Sequence, residues 1–301
     1  MKISDVLKTE RLLLSFEVFP PKTDTAFENV RTAALEIAGL NPAFVSVTYG
    51  AGGGTSRYTI ELAREIQAER GIPSLAHLTC VSSSHETVKE RIAEIQAAGL
   101  ENIMALRGDL TPEMSEENRD SWAYHHAIEL VRELKEANPD FCIGGACYPE
   151  VHPESRNQKE DIRHLKEKVE VGCDFLTTQM VFDNPLFFSF LYKLREAGIT
   201  VPVLPGIMPI TSAKQVERAI KLSGSFMPHR FTSLVDRFGE SDEAMKQAGI
   251  AYATDQIIDL YANGIRCVHV YTMNKPDVAA AICRNLFGII GMPDIRDGEE
   301  A

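Results

Sequence analysis

Short apolar runs recur along the chain, each ending on polar residues, with amphipathic stretches between them. The runs occupy 13–19 (LLSFEVF), 44–49 (FVSVTY), 75–80 (LAHLTC), 103–109 (IMALRGD), 143–148 (IGGACY), 175–182 (FLTTQMVF), 201–208 (VPVLPGIM) and 267–274 (CVHVYTMN). Most are roughly 30 residues apart, the beat of strand, crossover helix and parallel strand. Eight such units predict an α/β fold of the closed (β/α)8 barrel type, whose active site lies at the C-terminal ends of the strands. Glu17, Thr48, His77, Arg107, Asp109, Tyr148 and Gln179 all fall at that end.

Between the strands, the helices have readable edges. Thr23-Asp24 predicts the cap of a helix running to about Leu40, ended by Asn41-Pro42. Ser84 predicts a cap for 86–98 with Gly99 as the stop, and Ile92, Ile95 and Gln96 have the spacing of a face laid on a sheet. Helices are expected over 160–171 and 185–197, closed by Gly172 and Gly198, and a last one over 277–287. Two segments break the beat. Residues 110–126 are acidic and non-periodic and follow the fourth strand, as a partial lid or an ordinary barrel insertion. Residues 223–240 form a second insertion before the eighth strand.

The chain has 301 residues, 44% hydrophobic and 25% charged, with no linker-like or low-complexity tract, so a single barrel domain over 1–301 is expected. A net charge of −12 argues against a nucleic-acid or anionic-membrane surface. A few Arg or Lys can still bind phosphates locally. No apolar stretch has transmembrane length, and the N-terminus lacks a signal-peptide core. The six cysteines show no C-x-x-C spacing and read as buried reduced thiols, so a cytoplasmic location is expected. No metal site is expected, because the first strand offers only Glu17 and the other histidines (85, 125, 126, 152, 164, 229, 269) lack ligand spacing.

Glu17 sits within Phe16-Glu17-Val18-Phe19, where apolar surroundings would raise its pKa and suit it to act as a general acid. Its alternative is a structural ion pair with Arg107. Arg107-Gly108-Asp109 places opposite charges around a glycine, and on a continuing strand Arg107 and Asp109 would share a face. The alternative is a turn with a local salt bridge. His77 and Thr79 on the third strand, and Thr177 and Gln179 on the sixth, alternate into the barrel. Gln179 there suits an amide-like ring edge, its donor and acceptor binding together. Residues 148–154 (YPEVHPE) read as a rigid polar loop, either a contact surface or a structural turn. The glycine-rich 50–55 (GAGGGT) lacks the context of a dinucleotide fingerprint and reads as a loop over the mouth.

Seven motifs in order carry a resemblance to a known family: 15–21 (SFEVFPP), 45–51 (VSVTYGA), 77–80 (HLTC), 105–109 (ALRGD), 148–153 (YPEVHP), Thr178-Gln179 and 205–207 (PGI). The chain closely resembles methylenetetrahydrofolate reductases of the bacterial type, over about Leu13 to Gly288. The resemblance implies an FAD-dependent enzyme that moves hydride from NADH or NADPH to the flavin and then to methylenetetrahydrofolate. It implies Glu17 as general acid, and Asp109 as a residue contacting the pterin and lying near the flavin. It carries Thr48, Ala51, His77, Arg107, Gly108, Asp109, His152, Asp161 and Lys168 to FAD. Asp109, Gln179, Gln215 and Lys275 are carried to folate. A homo-oligomer is also implied. Three positions depart from the family pattern: Ala219 stands where an aromatic stacks on nicotinamide dinucleotide and folate, Lys275 where arginine is common, and Glu167 where a base is usual. Phe226 is the nearby substitute for the stack. The departures leave open a catalytic subunit fed by a partner protein in place of free NAD(P)H.

Overall fold

Eight parallel strands close on themselves in chain order: β1 (Leu13–Val18), β2 (Val45–Val47), β3 (Ser74–Thr79), β4 (Asn102–Leu106), β5 (Cys142–Cys147), β6 (Phe175–Met180), β7 (Val203–Ile207) and β8 (Cys267–Tyr271). The expected barrel is thus present in the computed structural model, which describes residues 1–21, 23–49, 56–109 and 122–291. The closing pair joins β1 to β8, with Ser15 beside His269 and Glu17 beside Tyr271. The helices around it are α1 (Ile3–Val6), α2 (Phe27–Ala38), α3 (Ser56–Arg70), α4 (His85–Ala97), α5 (Ala127–Ala137) and α6 (Gln158–Val171). They continue with α7 (Asn184–Glu196), α8 (Ala213–Ser223), α9 (His229–Phe238), α10 (Asp242–Ala262) and α11 (Pro276–Asn285).

Strand alternation sorts the core into two layers. Residues on the outward faces, such as Phe16, Val18, Val47 and Ile103, pack under the helices. The inward faces start at the N-terminal end with an apolar floor of Phe44, Leu75, Met104, Cys142, Phe175, Leu204 and Cys267. Short α1 plugs that floor: Ile3 is fully buried there, and its N–H donates to Asn102 Oδ1 at 2.8 Å. A third cluster of Phe182, Met208, Ile210, Ala219, Phe231, Met245 and Tyr252 lies above β6 and β7.

Several expectations are refined. Ser84 caps α4, its hydroxyl accepting from the Thr87 N–H. Gln96 is exposed, and only Val88, Ile92 and Ile95 form the buried face. The α2 segment opens with a 3-10 turn at Asp24–Ala26, and Thr23 provides no side-chain cap. The 223–240 insertion contains α9, whose Phe231 is buried. Of the 110–126 segment, 110–121 lies outside the described residues, as does 50–55. Tyr124 is buried and donates to Glu133. No helix among the described residues is long and apolar enough to cross a membrane. Five of the six cysteines are buried and all six are free; burial pushes the Cys80 and Cys147 thiols up to about 12.

Candidate active site

Above the apolar floor the inward residues turn polar. Ser15, Ser46, His77, Thr177 and His269 are all buried. Glu17 stands one inward step above Ser15, with its side chain 18% exposed. Its Oε2 accepts from the Ser46 hydroxyl at 3.2 Å and faces His77 Nε2 at 3.5 Å and His269 Nε2 at 3.6 Å. His269 in turn has Ser46 Oγ at 3.2 Å from Nε2 and Ser15 Oγ at 2.8 Å from Nδ1. Its ring stacks on Phe44 at 5.7 Å and meets the edge of Tyr271 at 5.4 Å.

This arrangement corrects the expected environment of Glu17. Phe16 and Val18 are its sequence neighbours, yet they point to the opposite face, so the carboxyl lies among hydroxyls and imidazoles. Burial pushes Glu17 up, but His269, His77 and the Ser46 hydroxyl pull it further down, and it ends below the ordinary 4.5. The free protein therefore holds it as a carboxylate at neutral pH. Burial lowers His77 to about 4, which keeps its imidazole neutral. His77 Nε2 and Thr177 Oγ1 are buried without a hydrogen-bond partner among the described residues. The ion pair with Arg107 is not formed; Arg107 instead meets Glu154.

Sequence reasoning missed Ser15, Ser46 and His269. The signal was available, because Ser15 and Glu17 on β1, and Cys267, His269 and Tyr271 on β8, are spaced by two and so share the inward face.

Gln179 lies half-buried at the end of β6. Its Oε1 accepts from the Met180 N–H at 3.0 Å, which orients the amide and leaves the second lone pair and the NH2 to other partners. The Tyr271 hydroxyl donates to Thr178 O at 2.6 Å, fixing that ring across the barrel.

Strand β4 ends at Leu106, whose neighbours in the barrel are the floor residues. Gly108 then takes φ +98°, and a Cβ there would stand 2.8 Å from Val81 Cγ1. The strand alternation expected to put Arg107 and Asp109 on one face is thus broken between them. Arg107 also donates from Nε to Gly108 O at 3.3 Å, while Asp109 is exposed. Burial, assisted by the Asp109 charge, pushes the Tyr148 phenol up to about 12, the two residues following the neighbouring strands β4 and β5.

The loop after β5 is anchored by Asp161, a buried carboxylate on α6. Asp161 accepts from His152 N at 3.1 Å and from the Ser155 hydroxyl at 3.3 Å. The His152 ring meets Tyr148 edge-on at 4.7 Å, and burial with the Arg107 charge lowers its pKa. Val151, between the two prolines, sits at φ +92°, a costly conformation for a β-branched residue. Lys168 reaches from α6 to donate to Ala146 O at 2.6 Å. Thr48 follows β2 and pairs with Val18 O through its N–H at 3.0 Å; Ala51 lies outside the described residues.

Gln215 and Lys275 come from different elements, α8 and the segment after β8, and both bond to Thr211. Before Lys275, Met273 and Asn274 are both left-handed, at φ 54° and 53°. Asn274 clamps Phe19 from both sides, accepting from its N–H and donating to its carbonyl, each at 2.9 Å. Thr272 donates to Glu17 O at 2.6 Å. Ala219 is 2% exposed and packs in the third cluster. Phe226 is 53% exposed, with its N–H on Glu150 Oε1 at 3.1 Å, and burial pushes that carboxyl up.

Residues 2–287 match the family model for methylenetetrahydrofolate reductase. The chain is 34% identical over 276 residues to the 5,10-methylenetetrahydrofolate reductase of Pectobacterium carotovorum, covering 92% of this chain and 90% of that protein. It is 33% identical to the Escherichia coli enzyme of the same name, covering 91% and 90%. Against methylenetetrahydrofolate reductase 1 of Schizosaccharomyces pombe it is 36% identical over 95% of this chain, but spans only 48% of that longer protein. Among solved structures, an uncharacterized Clostridium thermocellum protein that binds two copies of 5-methyl-5,6,7,8-tetrahydrofolic acid shares the fold. That match has TM-score 0.67 at 14% identity and covers 95% of this chain and 100% of the other. With a family match over nearly its whole length and two bacterial relatives above 30% identity, the chain belongs to the methylenetetrahydrofolate reductases, a family of oxidoreductases.

Proposed function

We propose that the barrel mouth converts 5,10-methylenetetrahydrofolate to 5-methyltetrahydrofolate, with FAD as bound cofactor, NADH or NADPH as electron donor and Glu17 as general acid. The observation that carries the reading is the run Ser15, His269, Ser46, Glu17, a carboxyl backed by a hydrogen-bonded imidazole at the catalytic end of the barrel. The methylene bridge must open before it can accept hydride, and it opens as one of its two nitrogens is protonated. Glu17 supplies that proton. Its carboxylate is ionised in the free protein, and covering its remaining 18% exposure with substrate removes water and pushes its pKa up. Proton uptake therefore accompanies substrate binding. After the proton has left, His269 and the Ser46 hydroxyl stabilise the restored carboxylate. Gln179 donates to a pterin acceptor through its NH2, and exposed Asp109 accepts from pterin N–H groups.

FAD, when bound, supplies reversible carriage of hydride. The residues present fit it. His77 Nε2 and Thr177 Oγ1 offer buried, unpartnered polar atoms, and Arg107 and Lys168 offer cations for phosphates. Thr48, Ala51, Gly108, Asp109, His152 and Asp161 are the remaining proposed contacts. The protein is further proposed to work in the cytoplasm as a homo-oligomer.

A second reading is a catalytic subunit that takes its electrons from a partner protein. It is favoured by Ala219, which is buried and, having only a methyl group, supplies no aromatic stacking surface. Under the first reading, exposed Phe226 supplies that surface. Anaerobic mixing of the FAD-loaded protein with NADH or NADPH, then with methylenetetrahydrofolate, separates the two. Bleaching of the flavin absorbance by either nucleotide, followed by recolouring with folate, supports the self-sufficient enzyme. Recolouring only after chemical reduction supports a partner donor, and no recolouring at all defeats both. The Glu17→Gln variant is expected to bleach like wild type but to recolour at least about a hundredfold more slowly, the scale of a lost general acid.

A further inference from the structure

Thr211 sits just past β7, 5% exposed, and makes three hydrogen bonds that fix the polarity of its two neighbours. Its backbone N–H lies 2.7 Å from one terminal atom of Gln215. A backbone N–H can only donate, so that atom is the amide oxygen. The Lys275 ammonium can also only donate, and its Nζ lies 2.7 Å from Thr211 Oγ1. The Thr211 hydroxyl proton is thereby turned toward Gln215 Oε1 at 3.1 Å. The order of donation is closed: Lys275 to the Thr211 hydroxyl, hydroxyl to the Gln215 oxygen, and the Thr211 N–H to the same oxygen. Among the described residues, what remains without a partner is the Gln215 NH2 and two ammonium N–H groups, all donors.

The frame around Thr211 is stiff. Ile210 is buried beneath α10, where a Cβ on Gly249 would stand 1.7 Å from the Ile210 carbonyl oxygen, so only glycine admits this approach. On the other side, the Asn274 clamp on Phe19 fixes the chain immediately before Lys275.

We infer that Thr211 is a positioning residue for the substrate: it turns Gln215 and Lys275 into a donor-only subsite between the ends of β7 and β8 that takes a carbonyl or carboxylate acceptor of the folate. The inference rests on the folate reading above and adds to it a residue that touches no substrate itself. Without the hydroxyl, Lys275 loses its anchor, and the Gln215 amide is freed to present oxygen to an acceptor, which repels it.

The test is equilibrium binding of 5-methyltetrahydrofolate by titration calorimetry to the FAD-loaded protein, with steady-state kinetics on methylenetetrahydrofolate. Thr211→Val is expected to raise Kd and KM about tenfold, with the loss falling on KM more than on kcat, the scale of one charge-assisted bond. Thr211→Ser, which keeps the hydroxyl, is expected to restore both. The double variant Thr211→Val with Gln215→Leu is expected to lose less than the sum of the two single losses, because part of the Thr211 effect acts through Gln215. Additive losses, or a Thr211→Ser protein as weak as Thr211→Val, overturn the inference. Should Thr211→Val not fold, Thr211→Ala against Thr211→Ser makes the same comparison. Wild-type protein that binds no folate sinks the folate reading and this inference together. Wild-type binding with Thr211→Val unaltered sinks this inference alone.

Discussion

Glu17 and Phe16 are adjacent in the chain and face different solvents, because successive side chains of a strand point to opposite faces. That single fact decides the chemistry of the carboxyl. It also explains why Glu17, His77 and Gln179 were legible as candidate site residues from sequence, each being a polar residue in an apolar run. His269 was not, since its partner Ser15 lies 254 residues away and only the register of β1 on β8 brings the two together. Asp161 and Lys168 were legible only through family resemblance, because helix residues that reach back to a strand carry no local signal. The buried imidazole of His77 makes a prediction about acid stability. Burial lowers it from the usual 6.5 to about 4 in the folded protein. Between those values the unfolded chain binds a proton that the folded one does not, so stability rises with pH across that window and is lost on acidification through it. The contribution is at most on the order of 3 kcal/mol. Glu17 acts in the same direction at lower pH, its lowered pKa withdrawing stability only below 4.5. Urea midpoints at about pH 7 and about pH 5 should therefore fall further for wild type than for His77→Gln. Equal falls in the two proteins would exclude His77 as the source.

At the scale of elements, the eight strands and their crossover helices were readable because each strand is an apolar run and each helix an amphipathic one, with Ser84, Gly172 and Gly198 marking ends. The region after β7 was less readable. Its α8, α9 and α10 build a core of their own around Phe182, Phe231 and Tyr252, so the beat of one helix per strand is lost. Ala219 on α8 is buried in this cluster. Within this region, α10 is positioned by what it lacks. Gly249 brings the helix against the Ile210 carbonyl, and Gly249→Ala would place a methyl 1.7 Å from that oxygen. Neither group is a flexible side-chain end, so the helix or the β7 loop must move. The substitution is expected to cost about 3 kcal/mol, at the upper end of overpacking in a close-packed interior. A urea midpoint within experimental error of wild type would show that the approach is looser than the geometry requires.

For the whole molecule, the barrel separates what holds it together from what it does. At the N-terminal end, Ile3 on α1 closes an apolar floor, tied down by its N–H to Asn102 and by the Asn102 side chain to Met1 O and Ser74 O. At the opposite end, the loops after β4, β5, β7 and β8 carry the strained, charged and half-buried groups, including Val151, Met273 and Asn274 at positive φ. The polar layer of Ser15, Ser46, His77 and His269 lies between the two. Strands shared by both ends are rigid, so a cavity at the floor is absorbed by the apolar packing around it and does not reach the mouth. Ile3→Ala should then cost about 2–4 kcal/mol, the usual range for truncating a fully buried isoleucine. Folate KM and kcat, measured well below the melting temperature, should stay at wild-type values. Combined with Thr211→Val, the stability loss should add to whatever that change costs alone, because the two residues share no partner. A shift in KM caused by Ile3→Ala would mean that the floor and the mouth are mechanically coupled. In that case the short N-terminal helix would belong to the catalytic apparatus and not merely to the closure of the barrel.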